Sequence, residues 1–430
     1  MSKFTIKNLH ARRVWDSRGR PTVEVDVTLE SGVIGTAIAP AGASRGMHEA
    51  VDLRDGGQAF GGWDVMNAVR AVDVEIREVL IGQDVRDQSR LDKFIVDLDG
   101  TPSKKRLGGN ACVAVSMACA HAAAKAEGIA LWEHLRGETG DGETILPLPE
   151  IQIFGGGAHA SNRVDVQDFM VIATGAESFV EAINMTADVY RHAGQIMADA
   201  GKLAGVADEG GFWPDFDSNE EAIETLLRAI EAAGYKPGSE VAISLDIAAS
   251  EFGKNGVYTL AKDDKTLQRD EMCAMMIDWM ERYPIVSIED PLGEDDPDGL
   301  IKFTWAVGDN AQVVGDDVLV TNAARVTAAA KDKLCNTLLC KPNQAGTLTE
   351  AKAAFDAAAK AGMGRIVSAR SGETEDVTIV HMAIGWGAPQ LKVGSFARSE
   401  RMAKWNEGIR IADRLGGDGP LPPKSAFPWR

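Results

Sequence analysis

From about residue 240 onward, short apolar runs alternate with helical stretches of about ten to twenty residues, and this alternation restricts the fold more than any other feature of the chain. The runs are Val241–Asp246, Ile285–Glu289, Gln312–Asp316, Asn336–Lys341, Arg365–Arg370 and Gln390–Lys392. Strands buried on both faces read as continuous apolar segments, and parallel neighbours need crossovers long enough to hold a helix. The segments between the runs carry helix punctuation. Thr347-Leu348-Thr349-Glu350 is a capping box with Gly362 as its C′ residue, and Ser218-Asn219-Glu220-Glu221 opens an earlier helix that closes near Gly234. Six such units predict an α/β fold. They suit a closed barrel better than an open sheet, although spacing alone leaves the open sheet standing.

Upstream the periodicity differs. Residues 22–29 alternate with period two, Gly32 marks a turn, and residues 33–39 read as a second strand. Pro40-Ala41-Gly42-Ala43-Ser44-Arg45-Gly46 reads as a mobile loop. From about 64 to 135 the pattern is helical, ending in the Ala-rich run 111–126. Strands followed by helices predict an α+β domain. Gly137, Gly140, Gly142, Pro147 and Pro149 then mark a boundary, so the expected domains are 1–140 and 141–430.

Each of the six runs ends in a charged residue: Asp246, Glu289, Asp316, Lys341, Arg370 and Lys392. In a barrel of parallel strands those C-terminal ends converge on one mouth, where active sites sit. Three carboxylates would face three cations across a pocket. Carboxylate oxygens suit Mg²⁺, which keeps some waters and takes further ligands from substrate. Positive charge around a buried Lys disfavours its ammonium form, so one Lys is expected to be neutral near pH 7 and to act as a base.

Charge and composition set limits on partners. A formal charge of −19 repels phosphate backbones and anionic membrane surfaces, so neither nucleic acid nor membrane is an expected partner. There is no apolar stretch of about 20 residues, and the N-terminus lacks the apolar core of a signal peptide. Five Cys at 112, 119, 273, 335 and 340 form no disulfide framework and no C-x-x-C pair. Together these features predict a cytoplasmic protein.

Seven motifs, in order, resemble the enolase family: Asp16-Ser17-Arg18-Gly19, Ala207-Asp208-Glu209-Gly210-Gly211, Ser287-Ile288-Glu289-Asp290-Pro291, Gly315-Asp316-Asp317, Lys341-Pro342-Asn343-Gln344, Arg370-Ser371-Gly372-Glu373-Thr374-Glu375-Asp376 and Ala397-Arg398-Ser399-Glu400-Arg401. The resemblance spans residue 4 to about 415. It implies an N-terminal α+β domain followed by a modified TIM barrel of the ββαα(βα)₆ type, and a homodimer, with Arg12 and Glu24 where enolases place intersubunit ion pairs. It further implies that Asp246, Glu289 and Asp316 hold a first Mg²⁺, while Ser44 closes over a second. Lys341 would be the base, a Lys-plus-Mg²⁺ arrangement already known for the enolase superfamily. Lys392 would hold the substrate carboxylate with Gln167 nearby. Glu209 would help the β-hydroxyl leave, supported by the carboxylate at 168. His159, Arg370 and Ser371 would surround the phosphate.

Three departures fall at the implied site. Ala369 replaces an active-site His, Asp168 stands where enolases carry Glu, and Ala41-Gly42-Ala43-Ser44-Arg45-Gly46 replaces Ser-Gly-Ala-Ser-Thr-Gly. Phe154-Gly155-Gly156-Gly157-Ala158-His159 is a softer change from Leu-Asn-Gly-Gly-Ser-His. The groups that abstract a proton and eliminate a hydroxyl are kept, while those that recognise phosphate are altered. The expectation is therefore a Mg²⁺-dependent dehydratase acting on a small, anionic, phosphorus-containing substrate. Its first candidate is the 2-phosphonoformyl analogue of 2-phosphoglycerate, converted to carboxyphosphonoenolpyruvate in phosphinothricin-type biosynthesis, whose extra carboxylate would fill the space beside Ala369 and pair with Arg45. An ordinary enolase converting 2-phosphoglycerate to phosphoenolpyruvate is the alternative, and a non-catalytic paralogue serving as a binding protein is a third.

Overall fold

The computed structural model describes residues 2–43, 45–137 and 144–429. Near the N-terminus, β1 (Ile6–Trp15), β2 (Pro21–Leu29) and β3 (Ile34–Ile38) form an antiparallel sheet in that order. Val23, Val25, Val27 and Leu29 are buried on one face of β2, while Glu24, Asp26 and Thr28 lie half-buried on the other, as a two-residue period requires. The buried face packs on the Ala-rich helix Gly109–Glu127, itself almost wholly buried. Small side chains let the two backbones come close. A Cβ on Gly35 would lie 2.2 Å from the Ala122 backbone nitrogen, so only glycine fits there.

The remaining strands are β4 (Leu148–Gly155), β5 (Asp168–Ile172), β6 (Ala242–Asp246), the small sheet β7 (Gly253–Lys254), β8 (Val257–Leu260) and β9 (Lys265–Gln268), then β10 (Ile285–Glu289), β11 (Gln312–Gly315), β12 (Thr337–Cys340), β13 (Gly364–Ser368) and β14 (Gln390–Gly394). Eight of them close into a barrel in the order β10-β11-β12-β13-β14-β4-β5-β6, which excludes the open sheet. Only β5 runs antiparallel, to both β4 and β6. That is the ββαα opening implied by the enolase resemblance. The six-run pattern does not contain β4 and β5, because only a short 3-10 turn, Gly157–Ala160, lies between them and no α-helix completes a βα unit. The expected domain boundary at 140/141 lies outside the described residues.

Helix punctuation acts as the side chains dictate. Ser178, Ser218 and Thr347 accept from the backbone N–H of Glu181, Glu221 and Glu350, and Gly234 and Gly362 take left-handed φ of 87° and 73°. The barrel is also tied to the N-terminal part. Asp92 accepts from Thr349 N and Oγ1 at 2.9 and 2.6 Å, and Ser116 Oγ accepts from Leu348 N at 2.9 Å.

Two expected strand ends are corrected. Arg370 lies beyond β13, since its backbone N–H leaves the ladder to donate to Glu373 Oε1 at 3.0 Å. Lys392 lies inside β14, where its carbonyl accepts from Ala369 N at 2.9 Å and the strand runs on to Gly394. Among the described residues no helix is long and apolar enough to cross a membrane.

Candidate active site

The C-terminal mouth of the barrel gathers the residues singled out by the sequence. Asp246 and Glu289 are the last residues of β6 and β10, and Asp316 and Lys341 directly follow β11 and β12. All four are buried, as is Lys392. Lys392 Nζ donates to Asp246 Oδ2 at 2.9 Å and to Glu289 Oε2 at 2.6 Å, so two carboxylates from neighbouring strands aim at one point. Asp316 meets the other ammonium, with Lys341 Nζ 2.5 Å from its Oδ2. Gln167 Nε2 donates to Asp246 Oδ2 at 3.1 Å.

One buried pocket is lined by Lys341, Lys392, Glu209, His159, Arg370 and Ala369, with Asp246, Gln167, Asp168, Ser371 and the loop residues Gly42 and Ala43 completing its wall. Ala369 presents only a methyl group there. Two larger cavities lie elsewhere. One of them, at the opposite end of the barrel, is lined by Leu148, Thr174, Ser239 and Trp429, and it holds none of the chemistry.

On the other side of the pocket, His159 stands between two acids. Its Nδ1 is 2.9 Å from Asp168 Oδ1 and its Nε2 is 3.8 Å from Glu209 Oε1. Burial works against its charge, but Asp168 and then Glu209 outweigh it and push the imidazole up to about 9. Burial likewise disfavours the Asp168 carboxylate. The His159 charge, the hydrogen bond between them, Lys392 and Gln152 reverse this and hold it down at about 2. The shorter acid at 168 therefore reaches Glu209 through the His159 ring.

A neutral base at Lys341 is not what the structure holds. Burial, Arg370 and Lys392 all lower it, but the Asp316 and Glu289 carboxylates face it directly and keep it above the ordinary lysine value. The mouth carries more buried acid than its cations can balance. Burial and then Asp246 drive Glu289 well above its usual range, and burial plus neighbouring carboxylates push Asp290 up to about 8 and Asp317 up to about 9. Such a surplus of buried oxygen donors is what a divalent hard cation neutralises, so the residues fit Mg²⁺. The fit is looser than the sequence suggested. Among the described residues, the acid-and-His groups whose ligand atoms lie within 4.8 Å of one another are His159/Asp168/Glu209 and Asp290/Asp316/Asp317. Asp246, Glu289 and Asp316 are not such a group: Lys392 bonds the first two and Lys341 the third. Ser44, expected at a second ion, lies outside the described residues.

The residues expected around the phosphate, Arg370 and Ser371, form a network with the N-terminal part. Ser371 Oγ accepts from Arg18 Nη1 at 3.1 Å and from the Ala43 backbone at 2.7 Å. Arg370 pairs with Glu49 at 2.9 Å. Arg45 turns away: its guanidinium bonds Asp52 at 2.9 Å, and it lines a separate small cleft rather than the pocket beside Ala369.

Several residues here escaped sequence reasoning. Asp290 takes the Asp316 and Asp317 backbone N–H groups at 3.0 and 2.9 Å, fastening β10 to β11 at the C-terminal mouth. The chain beyond Asp316 is strained, with Val320 and Thr321 at φ of 42° and 50°, where β-branched side chains rarely sit. Thr321 Oγ1 accepts from Lys341 N at 2.9 Å and donates to Gln344 Oε1 at 2.6 Å, so the strained turn holds both Lys341 and Gln344. Asp290 and Gln344 were visible inside quoted motifs, whereas nothing marked Thr321 or Glu49.

With this geometry in place, kinship is informative. Residues 6–135 match the family "Enolase, N-terminal domain", and residues 143–426 match "Enolase, C-terminal TIM barrel domain". The chain is 47% identical over 430 residues to "Enolase 1" of Desulfitobacterium hafniense (strain Y51), covering 99% of this chain and 98% of that protein.

Proposed function

This chain belongs to the enolase family and is a hydro-lyase, and on that footing we propose that its substrate is 2-phosphoglycerate, dehydrated to phosphoenolpyruvate. The observation that carries the reading is that Lys341, Lys392 and Glu209 line one pocket in a chain similar over its full length to a protein named as an enolase. The phosphorus-modified substrate favoured by the active-site departures draws no support from that kinship.

Lys392 holds the substrate carboxylate, and Lys341 Nζ takes the proton from the carbon beside it. Lys341 becomes a competent base when Asp316 is engaged elsewhere, because burial, Arg370 and Lys392 then lower it with less opposition. Asp246, Glu289 and Asp316 would hold Mg²⁺, which supplies the positive charge that makes an extra electron pair on the substrate carboxylate tolerable. That pair then returns to form the carbon–carbon double bond as the β-carbon–oxygen bond breaks. Glu209 delivers a proton to the leaving hydroxyl, releasing water. His159, held charged by Asp168, keeps this end of the pocket electropositive, and Arg370 and Ser371 receive the phosphate.

One observation favours a second reading. Ala369 leaves a methyl group where enolases carry His, which makes room for a bulkier phosphorus substituent such as the phosphonoformyl group. The pairing of Arg45 with Asp52 weakens this reading, since the expected cation is turned away. Assaying both substrates with Mg²⁺ separates them. Turnover of 2-phosphoglycerate with little on the analogue supports the first reading, and the reverse supports the second.

A further inference from the structure

Glu49 has no part in the chemistry described so far, yet three parts of the site meet at its carboxylate. It follows the loop after β3, and its side chain is 8% exposed. Oε2 accepts from Arg370 Nη1 at 2.9 Å and Oε1 accepts from Arg370 Nη2 at 3.2 Å, so acid and guanidinium meet fork to fork. A planar pair of this kind fixes the orientation of the guanidinium as well as neutralising it. Oε1 also accepts from the Gly46 backbone N–H at 3.1 Å and from Gln344 Nε2 at 3.2 Å. The same Gln344 amide donates to Asp316 Oδ1 at 2.7 Å.

We propose that Glu49 is a positioning residue for recognition of the substrate's phosphorus oxyanion, setting the plane of Arg370 and fastening the Gly46 end of the loop to it. The inference rests on the reading of a 2-phosphoglycerate-type substrate. Among the described residues, the hydrogen-bonding partners of the two Glu49 oxygens are donors: two Arg370 nitrogens, the Gly46 N–H and the Gln344 amide. A glutamine at 49 would therefore set its NH₂ against a donor in either orientation, and would remove the carboxylate that meets Arg370 fork to fork. The size and fold of the site would be kept while the aim of Arg370 is lost.

A double-mutant cycle tests this, using the full-length protein with Glu49→Gln, Arg370→Lys and both together. It is read on kcat/KM for 2-phosphoglycerate and on calorimetric affinity for inorganic phosphate with Mg²⁺ present. Glu49→Gln alone should lower both by at least about tenfold, and in the Arg370→Lys background by less than about threefold, because a residue that acts through Arg370 has nothing left to position. Glu49→Asp, which keeps the charge, should recover part of the loss, and it carries the cycle if the Gln variant melts early. Equal losses in both backgrounds, or a Glu49→Gln variant within about threefold of wild type, overturn the proposal. A wild type that binds phosphate but does not turn over 2-phosphoglycerate refutes the substrate reading and leaves the phosphate cycle to decide the role of Glu49. A wild type that binds no phosphate overturns the role itself.

Discussion

Lys341 and His159 are two buried cations whose charge is set by the acids around them, and both give sharp expectations. Replacing the proposed base, Lys341→Ala, should lower kcat by roughly 10²–10⁴-fold with the fold intact by circular dichroism. A variant within about tenfold of wild type would remove Lys341 from the chemistry. His159 should titrate near pH 9 by NMR, and Asp168→Asn should lower its midpoint, because burial is then opposed mainly by Glu209. A wild-type midpoint near 6.5 would contradict the pairing. The sign for stability follows. The folded-state value lies above the ordinary one, so the stabilisation from charged His159 is complete below about pH 6.5 and is lost as pH rises through about 9. Identity at this scale was legible because charged residues end apolar runs for a reason. Ionisation state was not, since the expected neutral Lys341 ignored Asp316, which lies 25 positions away in the chain and 2.5 Å away in space.

At the scale of elements, the loop after β3 and the turn after β11 fit against each other. A Cβ on Gly46 would lie 2.5 Å from Val320 Cγ1 and 3.1 Å from the Asp317 carbonyl oxygen. Val320 is already strained and cannot easily give way. Gly46→Ala should therefore unseat the loop and lower kcat/KM by about tenfold or more, while thermal melting moves little. Unchanged kcat/KM would show that the seating is not used in turnover. The helix Leu348–Lys360 offers a simpler test. Thr347→Ala removes its cap and should cost about 1 kcal/mol in denaturant unfolding. Local signals of this kind were readable because a cap and its partner lie three residues apart. The ends of β13 and β14 were misplaced because ladder pairing depends on a neighbouring strand, and Gly46 gave no sign because the atoms crowding it come from Asp317 and Val320.

For the whole molecule, a net charge of −19 says little about the site. The three cations expected to face carboxylates across the pocket each meet an acid: Lys341 meets Asp316, Lys392 the Asp246/Glu289 pair, and Arg370 meets Glu49. Glu49 and Arg370 lie 321 positions apart in the chain, and no run of sequence shows that they pair. All five cysteines are buried, and burial raises every one of them, Cys273 to about 11. A thiol reagent should label none of the five in the native protein at neutral pH and all five after denaturation. Rapid native labelling would contradict the packing. The closing measurement is the formation of phosphoenolpyruvate from 2-phosphoglycerate, followed by the ultraviolet absorbance of the product with Mg²⁺ present and after chelation. Steady turnover that chelator abolishes and Mg²⁺ restores is the predicted result. A folded, Mg²⁺-supplied enzyme that leaves 2-phosphoglycerate untouched would contradict it.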